Sequence, residues 1–516
     1  MKLNYKVSLL SFFVINILLI AYYQIGIYPA FFNSDAAIAN ILADEIASMS
    51  SYYPTSWWYV NGDIWTLFKH TLIIPFSVLG FHGYYIHVFA VLLFASFTFY
   101  LTYLYLNKIG ISTEGILIAL VGISTLYSPM YAREMYGESA YIWYYTALIG
   151  YMFLFVLLDK NNHEKHLITK ILIVLIGVFF VAENPSRFAI YFIVPLFLPL
   201  FILHRYVNFE YKKIIIYFAL GVVAGLAYRY FISNSILMQK GVDSTLIIPL
   251  DKLPEHIWYS VIGLTNLYGA DWGEKTPFVS LEGVTYLLKF LLYPVAFFAP
   301  IYYAIKNKSN MTFSESYTLS VGYMGFLIVF GIYCITTLHI DGIYAARENI
   351  RYVIPFTMFI SVSNGIMWKY FSQNIKIILL FSVVLSYISI FNTLDIQKSK
   401  NILDSRNEVI QTLKDNGLNK GYAPYWHSHI FTVLSDNKVE IRPLGNDYKR
   451  EDGEWLTSTR WYESDYVDKN SFILMPKDKI SEFERVAKVE HLQEYSKKLE
   501  LSSYVIYIFK QNPITD

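Results

Sequence analysis

Eleven mostly apolar runs follow one another along the first 394 residues: about 7–28, 84–106, 115–129, 140–158, 170–182, 188–204, 214–232, 284–304, 316–337, 351–369 and 376–393. A helix needs ~20 apolar residues to cross a hydrocarbon layer roughly 30 Å thick, so each run predicts a spanning helix. The first run is too long for a signal-peptide core and has no clear small-residue cleavage site before Asn33, so it reads as a retained helix. Two polar stretches between runs are long, 29–83 and 233–283. After 395 the pattern changes: charges become frequent, 401–415 and 478–488 read as helices, and 438–442, 471–475 and 503–509 read as strands. The pattern predicts an α-helical polytopic membrane module over 1–394 and a small α/β domain over 395–516.

Composition supports that division and narrows the function classes. Of 516 residues 55% are hydrophobic and only 16% charged, against about 25% charged in an ordinary soluble domain. A soluble enzyme and a disordered chain are both excluded. Net charge is +1, so no global field recruits nucleic acid. The single cysteine, Cys334, cannot form an internal disulfide, and no Cys/His cluster has metal-ligand spacing. No metal or other cofactor is assigned, although acidic residues in the loops leave room for a divalent cation.

Flanking cations set the expected orientation, with Lys2, Lys6 and the N-terminus in the cytoplasm. The cytoplasmic set is then twelve Lys and one Arg, among them Lys108, Lys306, Lys308, Lys369 and Lys376. The long stretches 29–83 and 233–283 and the tail fall on the outer side. The short outer loops hold Arg133, Arg187, Arg347 and Arg351 and no Lys. Positive-inside topology predicts fewer outer cations, not a switch to Arg. The planar guanidinium fork binds phosphate through two parallel hydrogen bonds, so four outer arginines point to an anionic ligand. Snorkelling to lipid headgroups is the alternative for any one of them.

The first outer stretch predicts an amphipathic helix over 35–50, capped by Asn33 or Ser34, with Asp35 in its first turn and Asp44 on its polar face. A carboxylate this close to the end of a spanning helix is partly desolvated, which raises its basicity. Asp35 is thus a candidate general base for a sugar hydroxyl, or simply a stabiliser of the helix N-terminus. The aromatic strip that follows, with Trp57 and Trp58, suits sugar-ring stacking and an interfacial belt equally.

These features resemble the C-type membrane glycosyltransferases (GT-C): a spanning helix, an outer Asp just beyond it, then an amphipathic helix in a long outer loop. Arg347-Glu-Asn-Ile-Arg-Tyr-Val-Ile-Pro resembles the Arg-Tyr-x-x-Pro helix start of that superfamily. Gly421-Tyr-Ala-Pro-Tyr-Trp-His-Ser-His resembles a segment after the last helix of bacterial members. The resemblance implies a sugar donor on a polyprenyl-phosphate carrier, used on the non-cytoplasmic face. It places the base role on Asp35, a second acidic role on Glu134 or Glu138, and the carrier phosphate on Arg347 or Arg351, with Arg187 and Arg133 as further clamps. The absence of a glycine-rich nucleotide motif fits a lipid-linked donor. Ala36 stands where protein mannosyltransferases have the Glu of an Asp-Glu pair, which counts against protein mannosylation; a protein O-glycosyltransferase stands as an alternative.

Size and layout resemble the serotype-converting O-antigen glucosyltransferases. That likeness implies a bacterial inner-membrane enzyme of lipopolysaccharide biosynthesis, with a periplasmic tail, moving a hexose such as glucose to a cell-surface glycan. Aromatics beside carboxylates, Trp258 and Trp272 in 233–283 with Trp57, Trp58 and Asp44, are candidate acceptor contacts. A flippase or a polymerase/ligase for lipid-linked saccharides would use the same arginines and stands as an alternative.

Overall fold

The computed structural model describes residues 5–158, 166–203, 211–239, 246–270, 277–339, 342–445, 448, 455–463, 470–489 and 495–514. Trp272 lies outside them. Each of the eleven apolar runs lies within or largely overlaps helical structure, but eight helices among the described residues are long and apolar enough to cross a membrane. A ninth is counted if Thr113–Ser124 and Pro129–Gly137, bent by 99° at their junction, form one span. The expected number falls partly because Ile142–Leu158 is a shorter apolar helix.

Contacts divide the chain into two units: Met1–Tyr23, Leu93–Leu226 and Asp243–Leu394 in the first, Gln24–Leu92, Ala227–Val242 and Asp395–Asp516 in the second. The tail beyond 394 thus groups with the whole of the first long polar stretch, 29–83.

The first unit is a helical bundle held partly by close backbone approach. A Cβ on Gly115 would come within 2.4 Å of the Gly365 carbonyl oxygen, so the helices Thr113–Ser124 and Ile354–Met367 meet where only glycine fits. Small residues are the usual device for such contact in lipid, where apolar burial does not drive helices together. Polar cross-links supplement it. Buried Asn16 donates to the Val121 carbonyl (3.2 Å), Ser124 Oγ (2.9 Å) and Thr125 Oγ1 (3.1 Å), and accepts from Tyr387 Oη (2.8 Å).

The second unit carries the strands. β1 (Trp58–Tyr59) pairs in parallel with β2 (Leu237–Met238). β3 (Lys420–Pro424), β4 (Glu440–Leu444), β5 (Ser471–Pro476), β6 (Lys497–Glu500) and β7 (Tyr504–Phe509) form a mixed sheet in the order β4-β3-β5-β7-β6. β3 runs parallel to β4 and β5, while β7 is antiparallel to β5 and β6. Its core joins Phe472, Leu474 and Ile506 to Val409 and Leu413 of the helix Ile396–Asp415. Expected strands 438–442, 471–475 and 503–509 match β4, β5 and β7 within two residues.

Candidate functional site

In the first unit, local sequence brings charge to the bend after Ser124. Ser128 caps a new helix, its Oγ accepting from the Tyr131 amide (3.0 Å) and donating to the Leu267 carbonyl (2.8 Å), and Pro129 follows at the first helical position. The helix then widens into a π-turn, Arg133–Gly137, closed by the Glu138 amide on the Arg133 carbonyl (2.7 Å). Such turns are frequent at functional sites because they redirect side chains within a helix.

The Arg133 guanidinium gathers three carboxylates. Its Nε and Nη2 donate to Glu134 Oε1 at 3.1 and 2.9 Å, its Nε lies 3.7 Å from Glu138, and Nη2 pairs with Glu348. Glu134 is fully buried. Arg351 belongs to the same cluster, with Nη1 3.9 Å from Glu134 Oε1. It sits on the 3₁₀ turn Ile350–Val353 that leads into Ile354–Met367, whose early Pro355 fits a first turn where amide donors have no partners. Arg187 and Arg351 both lie within electrostatic reach of Tyr141 and Tyr191. The Tyr191 hydroxyl donates to the Tyr352 carbonyl (2.8 Å), and the Tyr141 ring stands edge-on to Tyr352. Arg133 and Arg351 thus share Glu134, and Arg187 lies near the same tyrosines as Arg351. Arg347, half-buried, precedes Glu348 on the helix Ile343–Asn349.

The balance of this cluster shows what it can accept. Arg133 is committed to carboxylates, whereas the buried Nε of Arg351 has no hydrogen-bond partner among the described residues. Glu134 Oε2 is likewise buried without one. A buried donor left unmade costs about 1–3 kcal/mol, more for a charged group, so an anion's oxygen at Arg351 would recover that energy. Glu348 was not among the sequence candidates. It is adjacent to Arg347 in the chain, but only the fold brings it to Arg133.

In the second unit, Asp35 lies in the first turn of Ser34–Met49, where Asn33 Oδ1 accepts from the Ala36 amide (2.8 Å). The short helix Tyr28–Phe31 before it has Pro29 in its first turn, whose carbonyl accepts from Arg406 Nη1 (2.7 Å). The Asp35 carboxylate is half-buried and accepts from Tyr425 Oη at 2.7 Å, while Ser34 Oγ donates to the Tyr425 carbonyl. Tyr425 thus fixes the carboxylate twice, once directly and once through its neighbour. His429, edge-on to Tyr425, is fully buried; that burial holds its imidazole well below the usual range and so neutral. Tyr425 sits in the quoted tail segment, but pattern alone gave it no role.

Tyr425→Phe is expected to destabilise the second unit by about 1.5 kcal/mol, the lower bound for a hydrogen bond to a charged group. Thermal unfolding in detergent checks it, and an unchanged unfolding temperature would mean that this hydrogen bond does not hold the two segments together.

The acceptor candidates separate. Trp57 is completely buried, edge-on to Trp461 at 5.7 Å between ring centres. Trp58 is half-buried on β1. Asp44 accepts from His82 Nδ1 (2.9 Å) and Asn437 Nδ2 (2.7 Å), and the first of these contacts holds the His82 pKa above its usual value. Trp258, on Leu253–Leu267 of the first unit, is exposed. Among the described residues, no three His, Cys, Asp or Glu side chains are grouped so as to hold a metal ion.

No protein-family model and no curated protein matches the sequence. The structure is nonetheless similar to that of ArnT from Cupriavidus metallidurans bound to undecaprenyl phosphate, with a TM-score of 0.58 over 98% of this chain and 99% of that one, at 8% identity. The chain is therefore a polytopic membrane protein with the GT-C fold, the fold that its sequence led one to expect.

Proposed function

We propose that the chain is a membrane glycosyltransferase that moves a sugar from a polyprenyl-phosphate carrier to a hydroxyl of a glycan acceptor. The observation that carries this reading is the buried, unsatisfied Nε of Arg351, which shares Glu134 with Arg133. A phosphate oxygen supplies the acceptor that Arg351 lacks, with Arg187 and Arg133 adding positive charge. The ArnT likeness supports a polyprenyl phosphate as the anion. The acceptor oxygen attacks the anomeric carbon, the anomeric C–O bond to phosphate breaks, and the electron pair leaves with the phosphate. The arginines stabilise that developing charge. Asp35 takes the acceptor's proton, held in orientation by Tyr425. A hexose donor, an O-antigen acceptor and the outer face of a bacterial inner membrane are the finer forms of this proposal.

Purified protein supplied with polyprenyl-phosphate sugars and candidate glycans tests it. Acceptor-dependent release of polyprenyl phosphate is expected, and Arg351→Ala is expected to raise donor KM by at least ~10-fold, the scale of one charge-assisted hydrogen bond. An unchanged donor KM would displace Arg351 from the phosphate site. Movement of intact donor across a bilayer with no release would favour the flippase.

A further inference from the structure

The second unit contains a polar cavity of about 480 Å³ that neither Asp35 nor Tyr425 lines. Its wall is built from the last turns of Ser34–Met49, from β3 and β4, and from the chain around Trp461. The volume lies inside the roughly 300–1,000 Å³ range of small-molecule sites.

Asp44, Glu45, Glu440 and Arg442 of this wall are held by protein partners before any ligand arrives. Glu45, 8% exposed, accepts from Ser458 Oγ (2.7 Å) and Ser56 Oγ (3.2 Å), and Arg460 Nη1 stands 3.6 Å away. Among the described residues all three contacts fall on Oε1, which leaves Oε2 for a ligand. Asp44 is held from both oxygens by His82 and Asn437. The Arg442 guanidinium lies 4.2 Å from the Trp461 ring centre and donates to Glu440 Oε2 at 3.1 Å. Side chains ordered in advance lose little entropy on binding.

The alternation of sign selects the ligand class. An anion entering here meets Asp44, Glu45, Glu440 and Glu463, and a cation meets Lys420, Arg442 and Arg460, so neither is favoured. A sugar hydroxyl both donates and accepts. Neighbouring hydroxyls on one ring can therefore bridge a carboxylate oxygen and a guanidinium N–H side by side. We infer that this cavity binds a neutral, hydroxyl-rich oligosaccharide, a segment of the acceptor glycan remote from the reacting hydroxyl; its place in the reaction rests on the glycosyltransferase reading.

The experiment measures binding of the purified full-length protein to an array of neutral oligosaccharides of two to four residues, followed by titration with the best binder. Saturable binding is expected, weakened at least ~5-fold by the isosteric Glu45→Gln and by Arg460→Gln, a change at a half-exposed side chain. Asp35→Asn should bind the oligosaccharide as the wild type does, and polyprenyl-phosphate affinity should be unaltered in all three. Absence of saturable binding across the array, preference for anionic glycans, or binding indifferent to both cavity variants would overturn the inference. The two readings fail separately. Cavity-dependent binding by a protein that transfers no sugar retires the transferase alone, and transfer that ignores Glu45→Gln and Arg460→Gln retires the cavity alone.

Discussion

Asp35→Asn is expected to lower turnover by at least ~100-fold while leaving donor affinity near the wild-type value. Removal of a general base has that scale, and the amide keeps the shape of the carboxylate and can still accept from Tyr425. The substitution removes the negative charge and with it the ability to take a proton, at nearly constant shape. Steady-state kinetics with a polyprenyl-phosphate sugar, combined with a direct measurement of donor binding, separates the two parameters. Turnover within a few fold of the wild type would mean that Asp35 merely favours the N-terminus of its helix.

Arg133→Met is expected to destabilise the protein by about 3–5 kcal/mol, the cost of removing one partner from a buried ion pair. Arg133 faces Glu134, Glu138 and Glu348, and Glu134 is fully buried, so its loss leaves negative charge with far less compensation. The effect should appear as a lowered unfolding temperature in detergent or nanodiscs. Adding Glu134→Gln should recover about half of it, because the deepest carboxylate is then neutral. A single variant as stable as the wild type, or a double variant worse than the single, would show that the cluster is not held together by Arg133. On the same balance Arg351 rather than Arg133 is proposed to hold the phosphate, because Arg133 already directs its donors at carboxylates.

Much of this arrangement was legible in the chain because it depends on local pattern. Apolar runs give helices, Asn33 gives the start of the helix that carries Asp35, and charge density marks the tail. Arg133, Arg187, Arg347 and Arg351 were legible as a set because Arg stands in those loops where the others carry Lys. What could not be read was long-range. Glu348 reaches Arg133 across 215 positions and Tyr425 reaches Asp35 across 390, and no periodicity encodes either meeting. The 99° bend had a weak signal in Ser128-Pro129, lost inside a run that otherwise reads as one span. The aromatic strip misleads for a physical reason. Aromatics suit a sugar platform, an interfacial belt and a core alike, and Trp57 turns out to fill a core. The polar cavity was invisible as well, since its wall draws on segments from Ile41 to Glu463 that only the sheet brings together.

The sharpest measurement is a single turnover with a polyprenyl-phosphate sugar radiolabelled in the sugar, enzyme in excess, and acceptor glycan present. In the wild type the label should pass from lipid to glycan, and in Asp35→Asn it should stay on lipid that remains bound. Label retained on the carrier by the wild type with every acceptor offered, or transferred equally fast by Asp35→Asn, would contradict sugar transfer driven by that carboxylate.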